Sequence, residues 1–230
     1  MKKLSNFIKR SKKGKLLATE IVLGLSVLIV SLYAFLTITT DTLFELKLVQ
    51  IDYDLSHQLY ALRNPLLTNA MLVISFLGAG FTVAASAIIV VMLYKKRYTQ
   101  ESLVFSLLMG LGALANYILK NVFQRARPTF DPLVHHASYS FPSAHAMNSF
   151  IFYVTIAYLT YHLTGNRKTT LIITIISISM IILTGVSRVY LGVHYPSDII
   201  AGYYAGLVWF VGVLLIERAF TFIKLYKKHG

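Results

Sequence analysis

Six stretches of this chain are apolar over helix-like lengths, and that pattern restricts the fold more than any other feature. They run from about residue 16 to 38, 66 to 94, 102 to 119, 146 to 163, 171 to 186 and 199 to 216. A hydrocarbon layer about 30 Å thick is crossed by ~20 apolar residues in a helix. The fourth and fifth stretches fall about a turn short, a deficit that tilt and local thinning absorb. A water-soluble bundle would oppose an apolar stripe to a charged face, whereas these stretches hold Ser, Thr, Gly and aromatic residues with almost no charge on any side. The composition agrees: 56% of residues are hydrophobic and 13% charged, against roughly 45–50% and 25% in soluble domains. In hydrocarbon the backbone must satisfy its own hydrogen bonds, which a helix does, and no stretch alternates with the period of two that a membrane barrel needs. The first stretch exceeds the roughly 7–15 residues of a signal-peptide core and lacks a small-x-small exit, so it is expected to stay in the mature chain. The expected fold class is all-α: a polytopic membrane protein, a six-transmembrane-helix bundle forming one membrane-embedded domain over residues 1–230. There is no Cys, which excludes disulfides, thiolate zinc sites and cysteine nucleophiles.

The chain carries 22 Lys and Arg against 9 Asp and Glu, a formal net charge of +13. Sorting these cations by connecting segment gives 16 on one side of the bundle and six on the other. The majority lie in residues 1–15, at Lys95, Lys96 and Arg97, at Arg167 and Lys168, and in the tail from Arg218 to Lys228. By the positive-inside bias that side is cytoplasmic, with a basic cytoplasmic tail at 1–15 and both termini inside. Scattered over helix ends in this way, the cations are a topology signal and give no basis for a nucleic-acid partner. Residues 40–65 form the longest plain loop, expected outside the cytoplasm, with an amphipathic stretch from about Leu43 to Leu62 along the interface.

The outward minority is Lys47, Arg63, Lys120, Arg125, Arg127 and Arg188, and the last four break the charge rule within two connections. Lys120 and Arg127 stand seven residues apart, nearly two helical turns, in Lys-Asn-Val-Phe-Gln-Arg-Ala-Arg-Pro, where Pro128 forces an end to any helix. Ser140-Phe141-Pro142-Ser143-Ala144-His145 precedes the fourth stretch, where first-turn N–H groups attract anions. The fifth connection runs from Ser187 and Arg188 to His194 and Asp198, with Pro196 opening the sixth helix. A carboxylate four residues after a His can take its Nδ1–H and leave Nε2 free, which is the pair a histidine nucleophile needs. All three strings fall on the outward side by the charge count, which was made without reference to their motifs.

These strings resemble the three signature motifs of the type 2 phosphatidic acid phosphatase family: Lys-x6-Arg-Pro at Lys120, Arg127 and Pro128; Pro-Ser-Gly-His at Pro142, Ser143 and His145; and Ser-Arg-x5-His-x3-Asp at Ser187, Arg188, His194 and Asp198. Ala144 stands where the family usually has Gly, which is harmless at negative φ and strained at positive φ. The resemblance covers residues 120–198, the expected catalytic core, and the helix topology. It implies a hydrolase that works through a phosphohistidine. His194 attacks phosphorus, Asp198 orients it, and His145 protonates the leaving oxygen. Lys120, Arg127, Arg188, Ser143, Ser187 and the Ala144 N–H hold the phosphoryl oxygens. Fixed cations then do what metal does elsewhere, so no metal and no cofactor is expected. Near the motifs only Asp131 and Asp198 offer carboxylates, too few for a two-metal clamp.

The chain resembles the compact bacterial members of the family, and that resemblance implies phosphatidylglycerophosphate and undecaprenyl diphosphate as substrates. The implied partners are therefore a lipid phosphate (these two or phosphatidic acid) and the bilayer of a bacterial plasma membrane, with the site on its extracytoplasmic side. No obligate protein partner is evident. A headgroup or phosphoryl transferase of the same family and an anion or lipid transporter are the competing functions; the uncharged midsections of the helices speak against the transporter. Outside the motifs, Arg125 reads as an interface anchor, and His57, His162 and His229 read as interfacial hydrogen-bonders. His135 and His136 lie in the catalytic connection, where they could touch a headgroup. Trp209 reads as interface belt or bundle packing.

Overall fold

The computed structural model describes residues 11–135 and 137–229, so part of the basic tail, including Lys2, Lys3, Lys9 and Arg10, lies outside the described residues, as does His136. All regular structure in the described chain is helical, with no strand among the described residues, and the described residues of 124–143 form an irregular connection. The helices are α1 (Lys12–Leu43), α2 (Val49–Ala61), α3 (Pro65–Gly78), α4 (Gly80–Lys95), α5 (Thr99–Ser106), α6 (Gly112–Phe123), α7 (Ala144–Thr164), α8 (Arg167–Tyr190) and α9 (Pro196–His229). A π-helical stretch, Leu107–Leu111, joins α5 to α6.

By length and composition, five segments can cross a membrane: α1, α3 with α4, α5 with α6, α8, and α9. Helix α7 has the length, 21 residues, but is more polar. Its position explains this. It packs against α6, α8 and α9, so much of its surface meets protein, and Ser149 and Thr155 turn their hydroxyls back to Ala146 O and Ile151 O. Each expected apolar stretch lies within a longer helical segment, since helix ends extend past the apolar residues to their caps. Ser11, Asn64, Ser143 and Asn166 each accept an N–H three residues on.

The outside of the bundle is apolar. Leu23, Ile29, Leu66, Val83 and Leu171 are each more than 60% exposed, which at about 25 cal/mol per Å² would be unfavourable in water and is neutral in lipid. The molecule is a multi-pass membrane protein. Its interior is built on Phe35, Leu108, Phe141, Met147, Ile151, Ala201, Ala205 and Phe210. Trp209 belongs to this packing and donates its indole N–H to Leu108 O at the π-helical stretch.

Two glycines permit close approaches that place functional groups. A Cβ on Gly202 would meet Ser143 O at 2.8 Å, so its absence lets α9 lie against the start of α7. A Cβ on Gly78 would meet Thr184 at 2.2 Å, so its absence lets α3 lie on α8. One correction follows for residues 40–65. This segment is not a plain loop: α2 occupies its middle and contacts α8 and α9, with Asp52 and Ser56 buried against the bundle.

Candidate active site

The three strings meet at one end of the bundle, where α6 and α8 finish and α7 and α9 begin. Helix α6 stops at Phe123 because Gln124 turns to a left-handed conformation (φ 48°) and its N–H caps Lys120 O. Arg127 is therefore not on the helix that carries Lys120; the loop, and not helical periodicity, brings it to the site. Lys120 is buried and its ammonium donates to Tyr139 O and Ser140 O. Arg127 donates to Ser138 O, Val193 O and Tyr139 O and reaches His194 Nε2 at 3.3 Å. One guanidinium thus touches the stretch leading to the second string and the heart of the third.

Ser143 caps α7, accepting from Ala146 N, and its own N–H donates to Asp198 O at 3.0 Å. This bond ties the second string to the third. Ala144 is the first residue of α7 and is not among the residues with positive φ; the backbone there makes no demand for glycine, and its N–H is one of the first-turn donors. His145 follows in the same turn, partly exposed. Arg188, in the last turn of α8, is buried and donates to Ser75 Oγ on α3 at 2.6 Å. Ser187 is buried too, and its hydroxyl donates to Thr184 O within its own helix.

His194 lies two residues before α9. Its Nδ1 is 3.3 Å from Asp198 Oδ2 and 3.3 Å from Ser140 Oγ. Asp198 is fully buried and fully satisfied. Ser140 Oγ and Tyr195 N donate to Oδ2, and Arg125 donates to Oδ1. Burial pushes the His194 imidazole down to about 3, helped by the charges of Arg127 and Lys120 and opposed by Asp198. The ring is neutral near pH 7, and with Nδ1 facing a carboxylate its Nε2 carries the lone pair. Burial also lowers Arg127, an effect partly offset by Asp198.

Arg125 corrects the expectation that it is an interface anchor. It is drawn into the site, half-buried, donating to Ser197 Oγ at 2.8 Å, to Asp198 Oδ1, and to Asp52 Oδ2 at 2.8 Å. Burial opposes its charge, but the two carboxylates outweigh burial and raise its pKa. Asp52, on α2, also accepts from Ser197 N and Ser197 Oγ. Sequence reasoning missed Asp52, Ser140, Ser75 and Ser197; an acid in an interfacial helix was the signal for Asp52, but Asp54 in the same helix shares it. His135 is exposed, and His57 packs edge-on against Phe130 at 4.4 Å. Counting Lys120, Arg125, Arg127 and Arg188 against Asp52 and Asp198, the site has two formal positive charges in surplus. That matches a phosphomonoester, which carries about −1.5 to −2 at neutral pH. Among the described residues no group of three or more His, Asp or Glu side chains could hold a metal ion, and the Asp52 and Asp198 carboxylates both bind Arg125.

A sequence profile of the PAP2 superfamily matches residues 101–222. The chain is 37% identical over 183 residues to phosphatidylglycerophosphatase B of Bacillus subtilis, covering 79% of this chain and 90% of that one. It is 28% identical over 136 residues to YbjG of Escherichia coli, a candidate undecaprenyl-diphosphatase, covering 56% and 64%. The crystal structure of a transmembrane PAP2-type phosphatidylglycerolphosphate phosphatase from Bacillus subtilis superposes with a TM-score of 0.76 at 32% identity, over 84% of this chain and 96% of that one.

Proposed function

This chain belongs to the PAP2 superfamily, and on that premise we propose how its site acts and on what. It is a membrane-bound hydrolase of the lipid-phosphatase class. Our reading is one domain over 1–230 that crosses the membrane six times, α7 included, with both termini cytoplasmic and the site on the extracytoplasmic face of a bacterial plasma membrane. The concentration of Lys and Arg at the opposite end supports this orientation.

His194 Nε2 attacks phosphorus in line with the leaving oxygen. Asp198 keeps Nδ1–H directed away and balances the charge that develops on the ring. Arg127, with Lys120, Arg188, Ser143, Ser187 and the Ala144 N–H, takes the equatorial oxygens, so Arg127 exchanges its contact with Nε2 for one with phosphate. His145 donates a proton to the departing lipid alcohol or phosphate. It then takes one from the water that attacks the phosphohistidine, releasing inorganic phosphate and restoring His194. Three cations, Lys120, Arg127 and Arg188, supply the charge stabilisation, and no step requires a metal ion.

The observation that carries this reading is a neutral imidazole held between a carboxylate on Nδ1 and a guanidinium on Nε2. Substrates are proposed as phosphatidylglycerophosphate first and undecaprenyl diphosphate second, following the relatives. Beside the site lies an apolar groove of about 410 Å³ between α2, α8 and α9, lined by Leu55, Leu59, Val189, Pro196, Ile199 and Tyr203, which suits an acyl or prenyl tail.

The test is phosphate release by purified protein in detergent with excess EDTA, from phosphatidylglycerophosphate, undecaprenyl diphosphate and phosphatidic acid. Turnover in chelator with the first substrate preferred is expected, and release to water separates hydrolysis from transfer to another acceptor. Loss of all turnover in EDTA, restored by Mg²⁺, would remove the metal-free mechanism.

A further inference from the structure

Neither the nucleophile nor the phosphate cradle accounts for Arg125 and Asp52. Asp52 is buried and Arg125 half-buried, they face one another at 2.8 Å, and 73 positions separate them in the chain. The guanidinium of Arg125 spans two carboxylates, Asp198 Oδ1 on one side and Asp52 Oδ2 on the other, with its Cζ 4.4 Å over the Tyr195 ring. Asp52 is anchored in turn by Ser197 N at 2.8 Å and by Ser197 Oγ. Ser197 adjoins Asp198 in the first turn of α9, so the contacts close a ring through Asp52, Arg125, Asp198 and Ser197.

A carboxylate can orient an imidazole only if its own plane is fixed. Asp198 has one oxygen, Oδ2, toward His194, and the other, Oδ1, is held by Arg125. A charged, planar fork on Oδ1 stops rotation about the Cβ–Cγ bond more firmly than a neutral donor would. Asp52 stops the fork itself from swinging, and it shares the positive charge that Arg125 would otherwise direct at Asp198 alone.

We propose that Arg125, braced by Asp52 from α2, is a positioning residue that sets the plane of the Asp198 carboxylate and through it the aim of His194 at phosphorus. The proposal rests on the reading of His194 as nucleophile. It gives residues 40–65 a part in the chemistry: α2 delivers the outermost member of a chain of charge that runs Asp52, Arg125, Asp198, His194.

The experiment uses the full-length protein in detergent and phosphate release from dioctanoyl phosphatidic acid, with kcat and KM per mole of monodisperse protein. The variants are Arg125→Gln, Arg125→Lys, Asp52→Asn, the Arg125→Gln/Asp52→Asn double, and His194→Ala as reference. Arg125→Gln is expected to lower kcat about 10- to 100-fold with KM little changed, as for other outer partners of a reacting group. Arg125→Lys recovers part of this, because a point charge replaces a fork. Asp52→Asn lowers kcat less, and the double variant is no slower than Arg125→Gln alone, because Asp52 acts through Arg125.

A structural staple would instead reduce the yield of folded protein and leave wild-type kcat in what remains, which would overturn the proposal. A raised KM at unchanged kcat would also overturn it, by putting Arg125 on the phosphate. Should Arg125→Gln not fold, the near-isosteric Asp52→Asn carries the test, and an unchanged kcat there sinks the idea. Activity in His194→Ala would remove the nucleophile reading and this proposal together. An inactive His194→Ala beside wild-type kcat in both Arg125→Gln and Asp52→Asn overturns this proposal alone.

Discussion

Both ends of the bundle carry interlocked charges, but they treat them differently. At the motif end Arg125, Asp52 and Asp198 have side chains 11%, 2% and 0% exposed and are bonded across helices and loops far apart in sequence. At the opposite end Arg218 pairs with Glu20 at 3.1 Å and Glu217 at 3.5 Å, and His162 lies 3.7 Å from Glu101, with Glu20 38% and His162 44% exposed. Lys95, Lys96, Arg97, Arg167 and Lys168 stand exposed there. A charge left near water keeps most of its hydration and contributes little when paired, whereas a charge withdrawn from water must be matched by fixed partners. The contrast fits the proposal that one set of charges orients the chain in the membrane and the other is arranged for chemistry.

The largest blow to this contrast would come from His194. Replacing it with Ala is expected to reduce phosphate release by about 10⁴-fold or more, since it is the proposed nucleophile; substantial residual turnover would move the chemistry elsewhere. Next is Arg127→Gln, expected to cost about 10²- to 10³-fold in kcat, as removal of a transition-state donor does elsewhere. This variant also tests the electrostatics. In the proposed mechanism only the neutral form of His194 attacks, and burial, with the Arg127 and Lys120 charges, lowers its pKa to about 3. Removing Arg127 raises that pKa, so the pH below which kcat/KM falls should move upward. A profile of kcat/KM from acid to neutral pH checks this, and a limb that stays put or moves down contradicts the assigned coupling.

The smallest effect belongs to the other end. Arg218→Ala should leave kcat within about twofold and lower stability by no more than about 1 kcal/mol, as for partly exposed ion pairs. Thermal unfolding and the same phosphate assay measure both. A loss of activity comparable to Arg127→Gln would erase the distinction between the two ends.

Hydropathy alone locates the crossing helices, because a span in lipid satisfies its backbone internally and needs only a long enough apolar run. It is blind to α7 as a buried helix, whose polar hydroxyls are tolerated because neighbouring helices cover it. The motif residues are visible because their types and offsets are fixed by phosphate chemistry. The Ala144 question has a different character: a sequence shows the absent glycine but not φ, and only the backbone shows that glycine is not required there.

Arg125 shows where local reading stops. A basic residue just past a helix exit looks the same whether it snorkels to the interface or is drawn inward. The difference is burial between two carboxylates, one of them on α2, and no periodicity or spacing links residue 52 to residue 125. Local properties, namely apolar length, caps and motif offsets, are written along the chain because each depends on neighbours a few residues away. The brace behind Asp198, the reach of Arg127 to His194 and the seat of Arg188 on Ser75 arise only when distant segments pack, because a buried charge acquires its partners from the fold and not from its neighbours in sequence.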